Sequence, residues 1–345
     1  MHPRNRKSRF PLLLVTIMLL ETWLAGQSSP ANAPLGPPLP ERVNAQNRPS
    51  SSALQQEVSP AGQAPESEQG DVYVFKKEVE EVTLHATVVD EQNRLVTNLT
   101  RNDFAVFEDG KPQKVLSFRR EDVPVALGIV IDNSGSMRDK RQAVNAAAIN
   151  MVKSSNPQDR VFIVNFDEDC FLDQDYTASI PKLQNALEHI QTRGGTALYD
   201  ATLASADHLK KSGELEKKVL LVVTDGEDNA SHESLEQAIR RLRDENGPTV
   251  YTIGLLQHDR SMRRQALREM AEETGGIAYF PTNLSEVNAI TTQIAHDIRN
   301  QYIIGYKSNN PQIKGTFRTV RVEAQAKGYK HLHVRTRSGY YAGQQ

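Results

Sequence analysis

The sequence has 345 residues, of which 38% are hydrophobic and 24% charged, so it can build more than one globular domain. Its formal net charge of −2 provides no strong positive field for a phosphate backbone, and binding to nucleic acid is therefore not expected. The single cysteine, Cys170, excludes an internal disulfide and the cysteine-rich zinc and redox sites.

The first segment of the chain has the pattern of an export signal. A basic stretch at residues 4–9 precedes an apolar run at residues 12–20, which Glu21 interrupts. Because the run is too short to span a bilayer, we predict a signal peptide over residues 1–26, or as far as residue 33. An uncleaved N-terminal membrane anchor is the alternative. Export of a protein with a lone cysteine suits the bacterial periplasm, cell envelope or exterior.

Two regions of opposite character follow. Residues 27–70 are rich in Pro, Ala, Ser, Gln and Glu and contain no Phe, Tyr or Trp. This composition buries too little apolar surface to offset the entropy of ordering, which predicts a disordered linker. In residues 71–122 apolar side chains alternate with polar ones, as from Val82 to Val88, and this period of two predicts an N-terminal β segment.

Between residues 123 and 299 short apolar runs alternate with helical periods. The runs occupy residues 125–131, 161–166, 219–223 and 250–255. Continuous runs of this length are typical of strands buried on both faces, and the segments between them have apolar residues at helical spacing. The alternation predicts a doubly wound, mostly parallel α/β sheet of Rossmann type.

The last segment, residues 300–345, returns to the period of two. Neither β segment has enough strands to bury its apolar face alone, so we expect the two to pack together as a small all-β sandwich. The α/β domain is then an insertion in that sandwich. The two chain crossings, near Pro124 and Asn300, should lie at the end of the domain where its first strand begins.

Polar side chains follow several predicted strands and should meet at the carboxyl edge of the sheet, where ligands of open α/β sheets bind. Asp132, Ser134 and Ser136 follow the first strand of the domain, and Asp225 ends another. Thr196 stands between them in the sequence, at the end of a Gly-rich loop ahead of a helix. Hydroxyl and carboxylate oxygens are hard ligands, which suit Mg²⁺ better than zinc.

The order Asp132-x-Ser134-x-Ser136, then Thr196, then Asp225 resembles the metal-ion-dependent adhesion site of the von Willebrand factor type A domain, a fold also used by integrin ligand-binding domains. The resemblance covers about residues 123–299, and the flanking segments look like an exported bacterial subgroup. It implies that the hydroxyls bind Mg²⁺, with Mn²⁺ or Ca²⁺ as alternatives, while the aspartates act largely through water and hydrogen bonds. It also implies that an Asp or Glu of a protein partner completes the coordination.

These residues predict an exported, metal-dependent protein-binding or adhesion module and not an enzyme. Ser134 has no Gly-x-Ser-x-Gly elbow and no evident His partner, which disfavours a nucleophilic role. Two alternatives stay open: a metal-assisted hydrolase, and a structural envelope subunit whose ion only stabilises the loops. We expect Asp132 to face solvent at its strand end, and Thr196 to move on the flexible pair Gly194 and Gly195.

Four other features are expected to be secondary. Cys170 should pack as a small apolar residue, and Glu227 and Asp228 should either tune the ion or serve a helix start. We expect an acidic cluster to form a solvated loop; its members are Asp167, Glu168, Asp169, Asp173 and Asp175. A basic strand face is expected to be solvated as well; it carries His331, His333, Arg335 and Arg337.

Overall fold

The computed structural model describes residues 81–120, 122–188, 192–211, 215–255, 261–310 and 313–343. The predictions of a signal peptide over residues 1–26 and of a linker over residues 27–70 lie outside these residues. Within the described ranges, no helix is both long enough and apolar enough to cross a membrane.

Strands from both ends of the chain flank a central set of strands and helices. The N-terminal strands are β1 (Val82–Asp90), β2 (Phe104–Glu108), β3 (Lys111–Gln113) and β4 (Val115–Arg119). The central strands are β5 (Val125–Asp132), β6 (Arg160–Phe166), β7 (Cys170–Thr177), β8 (Lys217–Thr224), β9 (Thr249–Gly254) and β10 (Ala278–Tyr279). The C-terminal strands are β11 (Tyr302–Tyr306), β12 (Phe317–Ala324), β13 (Leu332–Arg335) and β14 (Gly339–Tyr341). The helices are α1 (Arg141–Lys153), α2 (Ile180–Glu188), α3 (Leu198–Lys211), α4 (Leu235–Leu242), α5 (Ser261–Glu272) and α6 (Glu286–Arg299).

The central strands form one six-stranded sheet in the order β10-β9-β8-β5-β6-β7. All neighbours are parallel except β7, which is antiparallel to β6 at the edge. Because successive strand residues point to opposite faces, β5 supplies two cores. Leu127 and Ile129 pack with α1 and α6 on one face, whereas Ala126 and Val130 pack with α3, α4 and α5 on the other.

The flanking strands form two antiparallel four-stranded sheets around a second core. Their orders are β13-β1-β11-β4 and β14-β12-β2-β3, so each sheet contains strands from both ends of the chain. Their alternating apolar residues, such as Leu84, Ile304 and Val322, share one buried cluster. The predicted fold class is therefore confirmed: a doubly wound, mostly parallel sheet is inserted in a small all-β sandwich.

The two chain crossings lie side by side and are clamped by Arg299, the last residue of α6. Its guanidinium donates to the Asp122 carboxylate at 2.6 Å and to the Val123 carbonyl at 3.2 Å, and it pairs with Asp159. Asp159 in turn accepts a hydrogen bond from the Val125 amide at 2.9 Å, at the start of β5. Because β5 ends at Asp132, the crossings lie at the end of the sheet opposite that residue.

The basic face of the last strands also contacts the α/β domain, so the expectation that it is solvated is only half right. His331 and His333 are exposed. Arg335, however, pairs with the Asp297 carboxylate of α6 at 2.6 Å, and Arg337 donates to the Gly247 carbonyl at 2.8 Å. These two arginines therefore help fix the sandwich to the inserted domain.

Candidate metal centre

The ends of β5 and β8 bring the first predicted site residues together. The two strands are parallel neighbours, with Ile131 opposite Val223. Asp132 therefore ends its strand beside Thr224, and Asp225 follows directly. This is the geometry expected at the carboxyl edge of a parallel sheet.

Asp132 is fully buried, so the expectation that it faces solvent is wrong. One carboxylate oxygen accepts a hydrogen bond from Thr224 Oγ1 at 2.6 Å, and the other accepts one from the Ser134 amide at 2.8 Å. Burial raises the pKa of Asp132, as does the nearby carboxylate of Asp225, while these two hydrogen bonds oppose the shift. The loops after the strands cover a side chain that the strand end alone would expose.

Ser134, Ser136 and Asp225 form a continuous chain of hydrogen bonds. The hydroxyl oxygens of Ser134 and Ser136 are 3.1 Å apart, and Ser136 Oγ donates to Asp225 Oδ1 at 2.7 Å. A single 3₁₀ turn at Gly135–Met137 shapes this loop. The side chain of Met137 is completely buried in the core below, which anchors the turn.

Thr196 reaches the same place from a different loop. A side-chain carbon added at Gly226 would lie 2.9 Å from Thr196 Oγ1 and 3.6 Å from Asp132 Oδ2, so both oxygens border the space that Gly226 leaves open. The Thr196 amide donates to Asn229 Oδ1 at 2.9 Å, and the Asn229 amide donates back to the Thr196 carbonyl at 3.0 Å. All five predicted site residues therefore converge at this edge.

The acidic cluster holds the Thr196 loop, and the expectation of a solvated loop is wrong for Asp167, whereas Glu168 is exposed as expected. Asp167 is buried and accepts from Arg193 Nε at 3.1 Å, and its carbonyl accepts from the Ala197 amide at 2.7 Å. Glu168 Oε1 accepts from the Gly195 amide at 3.1 Å. The glycine pair predicted to be flexible is thus anchored from the loop that connects β6 and β7.

Lys140 is a member of this constellation that the sequence reasoning missed. Its ammonium donates to the Ser136 carbonyl at 3.0 Å and pairs with Asp225 Oδ2. The side chains of Lys140 and Asp225 are only 11% and 3% exposed, so the pair is shielded from water. The sequence carries no signal for this pair, because Lys140 and Asp225 are 85 positions apart.

The remaining candidates serve helix ends or lie apart. Asp228 Oδ2 accepts from Ser231 Oγ at 2.5 Å and from the Tyr199 amide at 2.9 Å, so the helix-start role considered for it is found at the beginning of α3. Cys170 is exposed, contrary to the expectation that it packs as a small apolar residue.

The donor set of this edge fits a hard cation. Thr196 Oγ1 and Asp132 Oδ2 border the space at Gly226, and the hydroxyls of Ser134 and Ser136 lie in one hydrogen-bonded chain with the Asp225 carboxylate. Three hydroxyls and two carboxylates are hard oxygen donors, and the Lys140 ammonium already neutralises part of their negative charge. In the described part of the chain, no three His, Cys, Asp or Glu side chains gather as a metal-binding group.

An open doubly wound sheet with polar side chains gathered at its carboxyl edge defines a ligand-binding α/β domain. Residues 127–293 match the family model of the von Willebrand factor type A domain, and this part of the chain is such a domain. The resemblance seen in the sequence is thereby confirmed. Domains of this family are commonly found in adhesion and protein-interaction modules, are typically not enzymes and often bind a divalent metal.

Individual relatives are distant. An uncharacterized protein of Synechocystis sp. is 23% identical over 167 residues, which cover 48% of this chain and 39% of that protein. This chain thus spans well under half of that relative's length.

Three solved structures are similar to part of this chain. The von Willebrand factor domain of the type V pili tip protein Mfa5 of Porphyromonas gingivalis is 13% identical, with coverage of 51% of this chain and 95% of that chain and a TM-score of 0.46. The von Willebrand factor type A protein of Catenulispora acidiphila is 14% identical, with coverage of 78% of this chain and 76% of that chain and a TM-score of 0.45. Proximal thread matrix protein 1 of the mussel byssus, with a zinc-occupied adhesion-site motif, is 16% identical, with coverage of 56% of this chain and 50% of that chain and a TM-score of 0.46.

Proposed function

We propose that this protein is an exported protein-binding module that captures a carboxylate of its partner at a Mg²⁺ site formed by Asp132, Ser134, Ser136, Thr196 and Asp225. The observation that carries the proposal is the convergence of these side chains, from three separate loops, at one edge of the sheet. Bound Mg²⁺, or Mn²⁺ or Ca²⁺ in its place, supplies an electrophilic position that an incoming carboxylate oxygen can fill.

Different residues of the chain orient the groups that form this metal position. Asp132 orients the Ser134 amide and is itself oriented by Thr224, so the first loop keeps one shape. Ser136 is held by Asp225, which fixes its hydroxyl between two loops. Hydroxyl ligands carry no full charge, and a cation they hold still attracts an anionic group from a partner.

A catalytic role finds less support. In the described residues, Ser134 Oγ bonds to Ser136, whereas His232 pairs with Asp200 at 3.0 Å and His208 with Asp175 at 2.9 Å. Neither of these two imidazoles therefore serves Ser134 as a general base.

The export that we propose is supported by the basic stretch and apolar run at the start of the sequence.

Calorimetric titration of Mg²⁺ into the protein tests the metal site. Ser136→Ala should weaken Mg²⁺ binding about tenfold or more, since it removes a ligand oxygen and releases Asp225. Ser154→Ala is the matched control, because it makes the same change at the far end of α1. Equal Mg²⁺ affinity in all three proteins would refute the site.

Capture from an envelope extract in Mg²⁺ or in EDTA tests the partner. Capture should be lost in EDTA, and Thr196→Ala should weaken it more than it weakens Mg²⁺ binding. Changing the captured protein's contacting Asp or Glu to the amide should abolish binding. Capture that persists in EDTA would favour a purely stabilising ion, and turnover of acyl or phosphoryl esters would favour a hydrolase.

A further inference from the structure

Lys140 places an ammonium group inside the candidate metal centre. It directly precedes α1, four residues after Ser136, and its side chain is largely buried. The neighbouring Arg141 donates to Asn165 Oδ1 at 2.7 Å, and its charge also acts on Asp132. Lys140 is the cation that pairs directly with Asp225.

The contacts of Lys140 occupy the oxygens that a metal site needs. Its ammonium pairs with Asp225 Oδ2, while Asp225 Oδ1 is already taken by the Ser136 hydroxyl. The same ammonium donates to the Ser136 carbonyl at 3.0 Å. One side chain thus fixes both the carboxylate and the loop that carries two of the three hydroxyls.

Charges of both signs meet at this edge. Lys140 pairs directly with the Asp225 carboxylate, and the buried guanidinium of Arg141 also acts on the Asp132 carboxylate. A divalent cation adds two positive charges beside the Lys140 ammonium, and the carboxylate of a partner offsets one of them. Because the site is shielded from water, these charges interact at close range and are only weakly screened.

We propose, on the basis of the proposed metal-dependent function, that Lys140 is an internal counter-cation that competes with the divalent ion for Asp225 and couples ion binding to partner binding. In the absence of metal it keeps the two carboxylates from repelling each other, and the site stays formed. It also lowers the affinity for Mg²⁺, because the ammonium repels the ion and Asp225 must be shared. A partner carboxylate relieves that repulsion, so the ion is held most tightly when the partner is present.

Lys140→Met tests the competition, with Lys153→Met as its control, since both remove one lysine charge and Lys153 is an exposed residue about 20 Å away at the other end of α1. Calorimetry with Mg²⁺ alone should show about tenfold tighter binding for Lys140→Met and no change for the control. The melting temperature in EDTA should fall for Lys140→Met only. Lys140→Gln keeps a donor for the Ser136 carbonyl without the charge, and should give the same gain in affinity if the Met variant folds poorly.

The outcomes separate the two proposals. If the wild-type protein binds Mg²⁺ and the two neutral variants at Lys140 bind it equally or more weakly, Lys140 does not compete and this inference is wrong, while the proposed function stands. If neither the wild-type protein nor any variant binds Mg²⁺, the proposed function fails and the inference falls with it. Tighter binding in Lys140→Met but not in Lys153→Met supports both.

Discussion

Thr224 Oγ1 donates a 2.6 Å hydrogen bond to Asp132 Oδ2 and thereby ties the ends of two neighbouring parallel strands. Both side chains are fully buried. A carboxylate in this position serves the fold as well as the candidate metal site, because its loss leaves a hydroxyl and the Ser134 amide without their acceptor.

Asp132→Ala should therefore abolish Mg²⁺ binding and also lower the free energy of unfolding in EDTA by about 2 kcal/mol. Urea denaturation and calorimetry measure the two effects. Thr224→Val, which removes the hydrogen bond and keeps every proposed ligand, should cost about 1 kcal/mol and weaken Mg²⁺ binding only partly. Unchanged stability in Asp132→Ala would contradict the structural role that burial assigns to this residue.

The second prediction concerns Asn229, whose side-chain oxygen holds the Thr196 amide at 2.9 Å. Asn229→Ala should speed hydrogen exchange at that amide about fivefold and weaken Mg²⁺ binding by a similar factor, since one hydrogen bond contributes about 1 kcal/mol. Asn150→Ala removes a comparable bond, to Asn288, from the surface of α1 and is the control. Exchange at Thr196 that is equally slow in both variants would show that other contacts hold the loop.

The third prediction concerns a chain that ends at Asn300. It lacks β11, which lies between β1 and β4 and pairs with β1 from Val82 to Ala86. Leu84 and the other apolar residues of β1 then lose the core residues that the C-terminal strands contribute, and the shortened chain should aggregate. Light scattering measures this, with the full chain as reference. A soluble product whose β1 amides stay protected from exchange would show that the N-terminal strands fold alone.

The fourth prediction is a pH dependence that originates at Lys217. Its ammonium is buried and donates to the Ile298 carbonyl. Desolvation, followed by the charge of Arg299, lowers the pKa of Lys217 to about 7, whereas the carboxylates of Asp122, Asp297 and Asp159 oppose the shift. The unfolded chain keeps that proton up to a pH of about 10, so unfolding takes up a proton between these limits and stability rises with pH from about 7.

Lys217→Met should remove this rise and increase the free energy of unfolding at pH 7 by about 2 kcal/mol, after the loss of the bond to Ile298 is counted. Urea denaturation of both proteins at pH 7 and pH 9 checks it, and Lys153→Met should follow the wild type. Parallel pH profiles for the wild-type protein and Lys217→Met would mean that Lys217 remains charged in the folded state.

The fold class was predictable because the local spacing of apolar residues indicates each type of strand. Runs such as Val125 to Ile131 must be buried on both faces, and the period of two around Val82 permits only a strand with one buried face. The position of β11 between β1 and β4 was not predictable, since register and strand order depend on contacts between distant segments.

The candidate site was likewise predictable only in part. The five oxygen-bearing residues follow from their motif, but the full burial of Asp132 depends on tertiary contacts between segments that are distant in the sequence. Lys140 contacts Asp225, and Thr224 contacts Asp132, across the sheet edge, and no spacing along the chain displays these pairs. The anchoring of Gly195 by Glu168 joins residues 27 positions apart through a loop conformation, and only the folded structure shows it.

The clamp at Arg299 has a mechanical consequence. The chain enters and leaves the α/β domain at neighbouring points, and β5 spans about 25 Å from there to the opposite edge at Asp132. A pulling force applied at that edge therefore passes along the sheet and leaves through two covalent tethers in parallel. Each tether carries part of the tension, and the ion pairs of Arg299 must break before the tethers can be drawn apart.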